Sequence, residues 1–108
     1  SFAFAVRIVR LSQYLNEEKR EFIIARQILR SGTSIGANVR ESQNAESPAD
    51  FIHKLHIAQK EADETRYWIE LLEATGYISS EEFASLESDI VQILNLLCSI
   101  IKTKKSNL

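Results

Sequence analysis

Apolar side chains recur along this chain with the three-and-four spacing of helices, and I-plus-two alternation of the kind strands need is absent. Phe4, Ile8, Leu11 and Leu15 share one face of a first helix over about 3–15. The charged run "LNEEKRE" is a short connector. A second helix over about 20–46 carries Phe22, Ala25, Leu29, Gly32, Gly36 and Val39 as its inner stripe. In "SPADF", Ser47 is placed to cap a third helix, Pro48 needs no donor in its first turn, and Asp50 suits its positive end. That helix spans 48–75, with Phe51, Leu55, Ala58, Ala62, Thr65, Ile69 and Leu72 on one face. Gly76 follows it in the position where a left-handed backbone ends a helix. Ser79 and Glu82 have capping-box spacing and open a fourth helix over 80–102. Its stripe is Phe83, Leu86, Ile90, Ile93, Leu97 and Ile100, widened by Leu94 and Ile101. The basic tail, 103–108, is expected to fray. Short connections make consecutive helices antiparallel neighbours. The expectation is therefore all-α, a single-domain, up-down-up-down four-helix bundle crossing near about +20°.

One stretch in the second helix tests that assignment. "RSGTSIGANVRES", from Arg30 to Ser42, has the small residues and flanking arginines of a phosphate loop. A phosphate loop follows a strand, however, and carries Gly-Lys-Ser/Thr or GxGxxG. None of these is present, and the stripe through Gly32 and Gly36 runs through the segment in phase. The glycines read better as close-approach positions, at a propensity cost of about 1 kcal/mol each. Ser34, Asn38 and Glu41 form a polar line beside them. It is either a solvated flank or a semi-buried hydrogen-bond set, centred on Asn38, that fixes helix register.

"SIGANVRESQNAES" followed by "DFIHKLHIAQKEADETRYWIELLEATGYI" resembles the four-helix-bundle family of proteins encoded within intervening sequences of bacterial 23S ribosomal RNA genes. The resemblance covers Ser34–Ile78 and rests on Ser34, Ile35, Asn38, Glu41, Asp50, Phe51, Ala58, Glu61, Glu64, Leu72 and Gly76. The family often has Gly after the residue matching Glu41, where this chain has Ser42, which suggests a second helix that continues further. The resemblance implies a cytoplasmic bacterial bundle without known catalysis. It also implies kinship with retroelement accessory proteins that form homopentamers and bind nucleic acid and a reverse transcriptase through basic surfaces. The ribosomal label reflects gene location.

Charge sharpens the picture because it is unevenly spread. Thirteen basic residues face fifteen acidic ones among 108, a net charge of −2. Residues 1–40 are net +4, residues 41–101 net −9, and residues 102–108 net +3. Arg7, Arg10, Lys19, Arg26, Arg30 and Arg40 are the candidate nucleic-acid contacts, with the last four projected onto one side of the second helix. No aromatic residues interleave with them to stack bases. A solvated face pairing with the acidic third helix is the competing reading.

Apolar positions in excess of one stripe per helix suggest self-association. Phe2, Val6 and Val9 lie opposite the first core face; Ile24, Ile28 and Ile35 lie beside the glycine stripe; Ile57, Trp68 and Leu71 form a second line on the third helix. A broader intramolecular core would use the same residues. The oligomer expectation is a homo-oligomer, and a pentamer follows only from the resemblance.

Catalytic chemistry finds little support. Asp50-x-x-His53 is half of a di-iron ligand pattern whose second half is missing, and His53 and His56 suit an exposed or interfacial role better. No metal, cofactor or small-molecule substrate is inferred. The single cysteine, Cys98, excludes an intrachain disulfide and is expected to be a small buried hydrophobe. No uninterrupted apolar run approaches the ~20 residues of a membrane span. Two functions remain: a homo-oligomer that binds nucleic acid or a nucleoprotein partner through the basic residues of the first two helices, or a protein–protein scaffold.

Overall fold

The protein, described by a computed structural model covering residues 1–108, contains four helices and no strands. They are α1 (Phe2–Glu17), α2 (Ile23–Ser42), α3 (Pro48–Ala74) and α4 (Ser80–Ser106). They form an antiparallel bundle measuring 48 × 21 × 18 Å. α2 packs between α1 and α3, and α3 packs on α4. α1 meets α4 only lightly; a latch from Arg7 to Asp89 at 2.6 Å and to Ser85 Oγ at 3.0 Å ties them.

The helix ends follow from local chemistry. Ser47 is extended (φ −155°) and its hydroxyl accepts from the Asp50 amide at 3.0 Å. Ser79 accepts from the Glu82 amide at 3.1 Å, while the Ser79 amide donates back to the Glu82 carboxylate at 3.4 Å. Gly76 adopts φ +82° after α3. Arg20, between α1 and α2, is also left-handed at φ +52°, a conformation that disfavours a residue with a Cβ.

α2 is shorter than the 20–46 expected. Residues 18–22 form the turn, Glu21 captures the Ile24 amide at 2.6 Å, and the helix starts at Ile23. Lys19 therefore lies in a connector, off the side of α2. At the other end, Gln43, Asn44 and Ala45 each donate to the carbonyl three residues back, at 3.1 Å, and the helix unwinds. Pro48 then holds Ser47 extended. Ser42 is the last helical residue, so its difference from glycine does not lengthen α2. α4 runs the other way: the tail expected to fray stays helical through Ser106. Lys104 and Lys105 offset the negative end of the helix, and Lys104 Nζ sits 5.1 Å from the centre of the Phe51 ring.

The core holds Ile8, Leu15, Ile28, Ile35, Leu55, Ile69, Leu72 and Ile90, all fully buried. The buried sector of α2 keeps Ala25 and Gly32 of the expected stripe and adds Ile28, Ser31 and Ile35. Ile28 and Ile35 are thus core residues and no surplus for an interface. Phe22 and Leu29, expected inside, stand out of the core at 51% and 36% exposure. The two glycines differ. A Cβ on Gly32 would lie 2.7 Å from Ile8 Cγ2, whereas one on Gly36 would meet nothing closer than Ser1 Oγ at 3.6 Å. α4 is long and apolar enough to cross a membrane by length and composition alone. In the bundle its Leu86, Ile90, Leu97 and Ile101 are buried in the common core.

Candidate interaction surface

The outer side of α1 and α2 exposes several large apolar side chains. On α1, Phe2, Val6 and Val9 point away from the core at 75%, 36% and 37% exposure. Their 4-3 spacing puts them in one row. On α2, Leu29, Thr33 and Ala37 continue that surface at i, i+4 spacing. Phe2 and Ala5 line one groove together with Thr33, Gly36, Ala37 and Arg40, so the two rows meet. Phe22 and Leu29 belong to this face although their spacing suggested core. The signal that could have moved them is the competing row Ala25, Ile28, Ile35, which is richer in β-branched bulk and more deeply buried.

The basic candidates divide into two groups. Arg7 is held by Asp89. Arg30 reaches across to α3 and pairs with Glu61 at 3.1 Å and with Glu64. The Trp68 indole N–H donates to the same Glu64 at 3.1 Å. That hydrogen bond, ahead of the one from Arg30, holds the Glu64 carboxyl below the usual carboxylate range. Glu64 in turn pushes the Arg30 guanidinium above its already high value. Arg10, Arg26 and Arg40 have no carboxylate partner. Arg10 borders Val6 and Val9. Arg26 and Arg40 lie on the same exposed side of α2 as Thr33, seven residues before and after it. Lys19 sits 5.9 Å from the Tyr14 ring centre at the far end. The unpaired arginines thus rim an apolar surface rather than forming one continuous stripe with Arg7, Lys19 and Arg30.

The third helix contributes less to the outside than its second apolar line suggested. Ile57, Trp68 and Leu71 are half-buried. Glu61 and Glu64 complete their row at helical spacing, and Arg30 covers it. Trp68 packs against the core as well as donating to Glu64.

The polar line through Ser34, Asn38 and Glu41 does not act as one network. Ser34 bonds the Arg30 carbonyl at 2.6 Å and Asn38 bonds the Ser34 carbonyl at 2.9 Å, both inside α2. A carbonyl one turn back is the nearest acceptor for such short side chains. Only Glu41 crosses to α3, reaching Lys54 at 3.4 Å. The buried cross-helix contact is instead Ser31 with Thr65, hydroxyl to hydroxyl at 2.9 Å. Ser12 adds a bond to the Ala25 carbonyl at 3.1 Å between α1 and α2. Thr65 lies in the expected core stripe, and a polar residue there was the available signal.

No nucleophile–base pair converges anywhere on this surface, and no group of three or more His, Cys, Asp or Glu residues is placed to hold a metal. Cys98, expected to be buried, is exposed, because α4 turns Leu97 and Ile101 inward and leaves position 98 outside.

The family model of the 23S rRNA-intervening sequence protein matches residues 1–99. Among solved structures, the crystal structure at 1.70 Å resolution of a protein of unknown function from the S23 ribosomal protein family of Bacteroides thetaiotaomicron is similar, with a TM-score of 0.93. The two sequences are 57% identical over 94% of each chain. No curated protein matches the chain. The antiparallel four-helix architecture, the Ser34–Ile78 block and a family match over residues 1–99 converge: this chain belongs to the 23S rRNA-intervening sequence protein family.

Proposed function

We propose that this protein is a non-catalytic helical bundle that assembles with further copies of itself through the outer face of α1 and α2. The observation that carries this reading is the exposed apolar row Phe2, Val6 and Val9 on α1, which through Phe2 shares a groove with Thr33 and Ala37 of α2. Phe and aliphatic side chains surrounded by arginine suit the centre and rim of a protein interface. A second copy is the occupant that charge favours. The rim arginines Arg10, Arg26 and Arg40 lack partners, and residues 41–101 of another copy carry a net charge of −9, with Asp63 and Glu81 exposed. A five-membered ring is the assembly implied by the resemblance. Nucleic-acid binding by the α1–α2 basic residues is the weaker reading, because Arg7 and Arg30 are already neutralised by carboxylates.

Sedimentation velocity of the wild type and of the Val6→Glu/Val9→Glu variant tests this. The expected wild-type mass is a multiple of 12.3 kDa, and the folded variant sediments as a single chain. A wild type at the single-chain mass, or a variant that assembles unchanged, overturns the proposal.

A further inference from the structure

The continuation of α4 to Ser106 creates a second surface, remote from the α1–α2 face. With the last turns helical, Lys102 and Lys105 stand one turn apart and share a shallow depression of about 550 Å³ with His56 and Gln59 of α3. Cys98, Ile101 and Ser106 complete it. Had the tail frayed, these lysines would have had no fixed relation to α3. The lining contains no carboxylate, and neither lysine has an acidic partner elsewhere. His56 Nδ1 lies 3.1 Å from the Gln59 carboxamide oxygen, which fixes the two side chains relative to each other. In a chain that is net acidic, this depression brings two lysines together and admits no carboxylate.

The side chains present are those that position nucleic-acid backbones: lysine, serine and glutamine to phosphate oxygens. Acidic peptide motifs are gripped by clusters of arginine, and no arginine lines the depression. No aromatic ring lines it, so bases have no stacking platform. We propose that the α3–α4 depression formed by His56, Gln59, Lys102 and Lys105 binds the phosphate backbone of nucleic acid without reading its sequence.

The test is fluorescence anisotropy of a labelled short RNA duplex titrated with the full chain between about 50 and 200 mM salt. Lys102→Ala/Lys105→Ala, exposed positions whose loss leaves the core intact, is expected to weaken binding about tenfold at the low salt. It also lowers the slope of log affinity against log salt by about 2, roughly 1 for each lysine. Lys102→Arg/Lys105→Arg retains binding. Changing the duplex sequence leaves the affinity unchanged. The proposal is overturned if the wild type does not bind at low salt, or if the alanine variant binds with the same affinity and slope. It is also overturned if Arg26→Ala/Arg40→Ala removes binding while the lysine variant keeps it, or if polyglutamate competes as well as unlabelled duplex.

Discussion

Arg26 and Arg30 are one helical turn apart on α2, yet they belong to different regions of the molecule. Arg30 lies on the α3 flank, bound by Glu61 and Glu64. Arg26 lies on the outer face without a carboxylate partner, on the same side of α2 as Leu29 and Thr33. A charge excess counted along the sequence is therefore not a surface. The rotation of each helix against its neighbours sorts like charges into structural and free groups, and only the free group is available to a partner. The glycines show the same sorting in apolar terms. Gly32 lies against Ile8 with no room for a methyl group, whereas Gly36, one turn on, opens onto the groove beside Phe2.

The largest expected effect breaks the tight half of that comparison. Gly32→Val drives side-chain atoms into Ile8, which is fully buried and stiff, and should cost about 2–3 kcal/mol. Urea unfolding measures it; an unchanged midpoint would show that α1 can move away without cost. Next is Thr65→Val, which removes the partner of the buried Ser31 hydroxyl and should cost about 1–3 kcal/mol. Adding Ser31→Ala should recover part of that loss. A strictly additive double variant would mean that the two hydroxyls are not coupled. Gly36→Ala goes the other way, with a gain of up to about 1 kcal/mol from helix propensity. A destabilised Gly36→Ala protein would place that position inside the tight seam with Gly32.

The smallest effect concerns pH and the α2–α3 flank. The Glu64 carboxyl titrates below its ordinary value of 4.5 in the folded protein. A depressed folded value means that its stabilisation is complete above the unfolded value and is lost as pH falls through the folded one. Its side chain is 34% exposed and that of Arg30 49%, so solvent screening limits the contribution to less than about 1 kcal/mol. Glu64→Gln should flatten this acid-side slope in chemical denaturation between about pH 5 and 3. An unchanged slope would assign it to other carboxylates.

The helices and both capped starts were legible because spacing and capping residues are local signals. The α1 core face, Phe4, Ile8, Leu11 and Leu15, was legible too, since α1 packs mainly on one neighbour. α2 was harder because its apolar residues allow two phases, one through Phe22, Leu29 and Gly36 and one through Ile28 and Ile35. Its buried sector is broad, and its stripe was misplaced by enough to put Phe22 and Leu29 inside and Ile28 and Ile35 outside. The Ser31–Thr65 contact joins residues 34 apart, and the Arg30 pairs span 31 and 34. Their existence depends on how helices rotate against each other, which no local pattern records. The unpaired status of Arg10, Arg26 and Arg40 was hidden for the same reason.

The central claim is that the α1–α2 outer face is covered by another copy of the chain. In a Cys98→Ser background, thiol labelling can compare Ala37→Cys, on that face, with Ala84→Cys, on the exposed side of α4. Both positions are open in the single chain. The account predicts that Ala37→Cys labels at least tenfold more slowly at high protein concentration, on the order of 1 kcal/mol or more of protection, and that dilution removes the difference. Equal labelling rates at every concentration would contradict it.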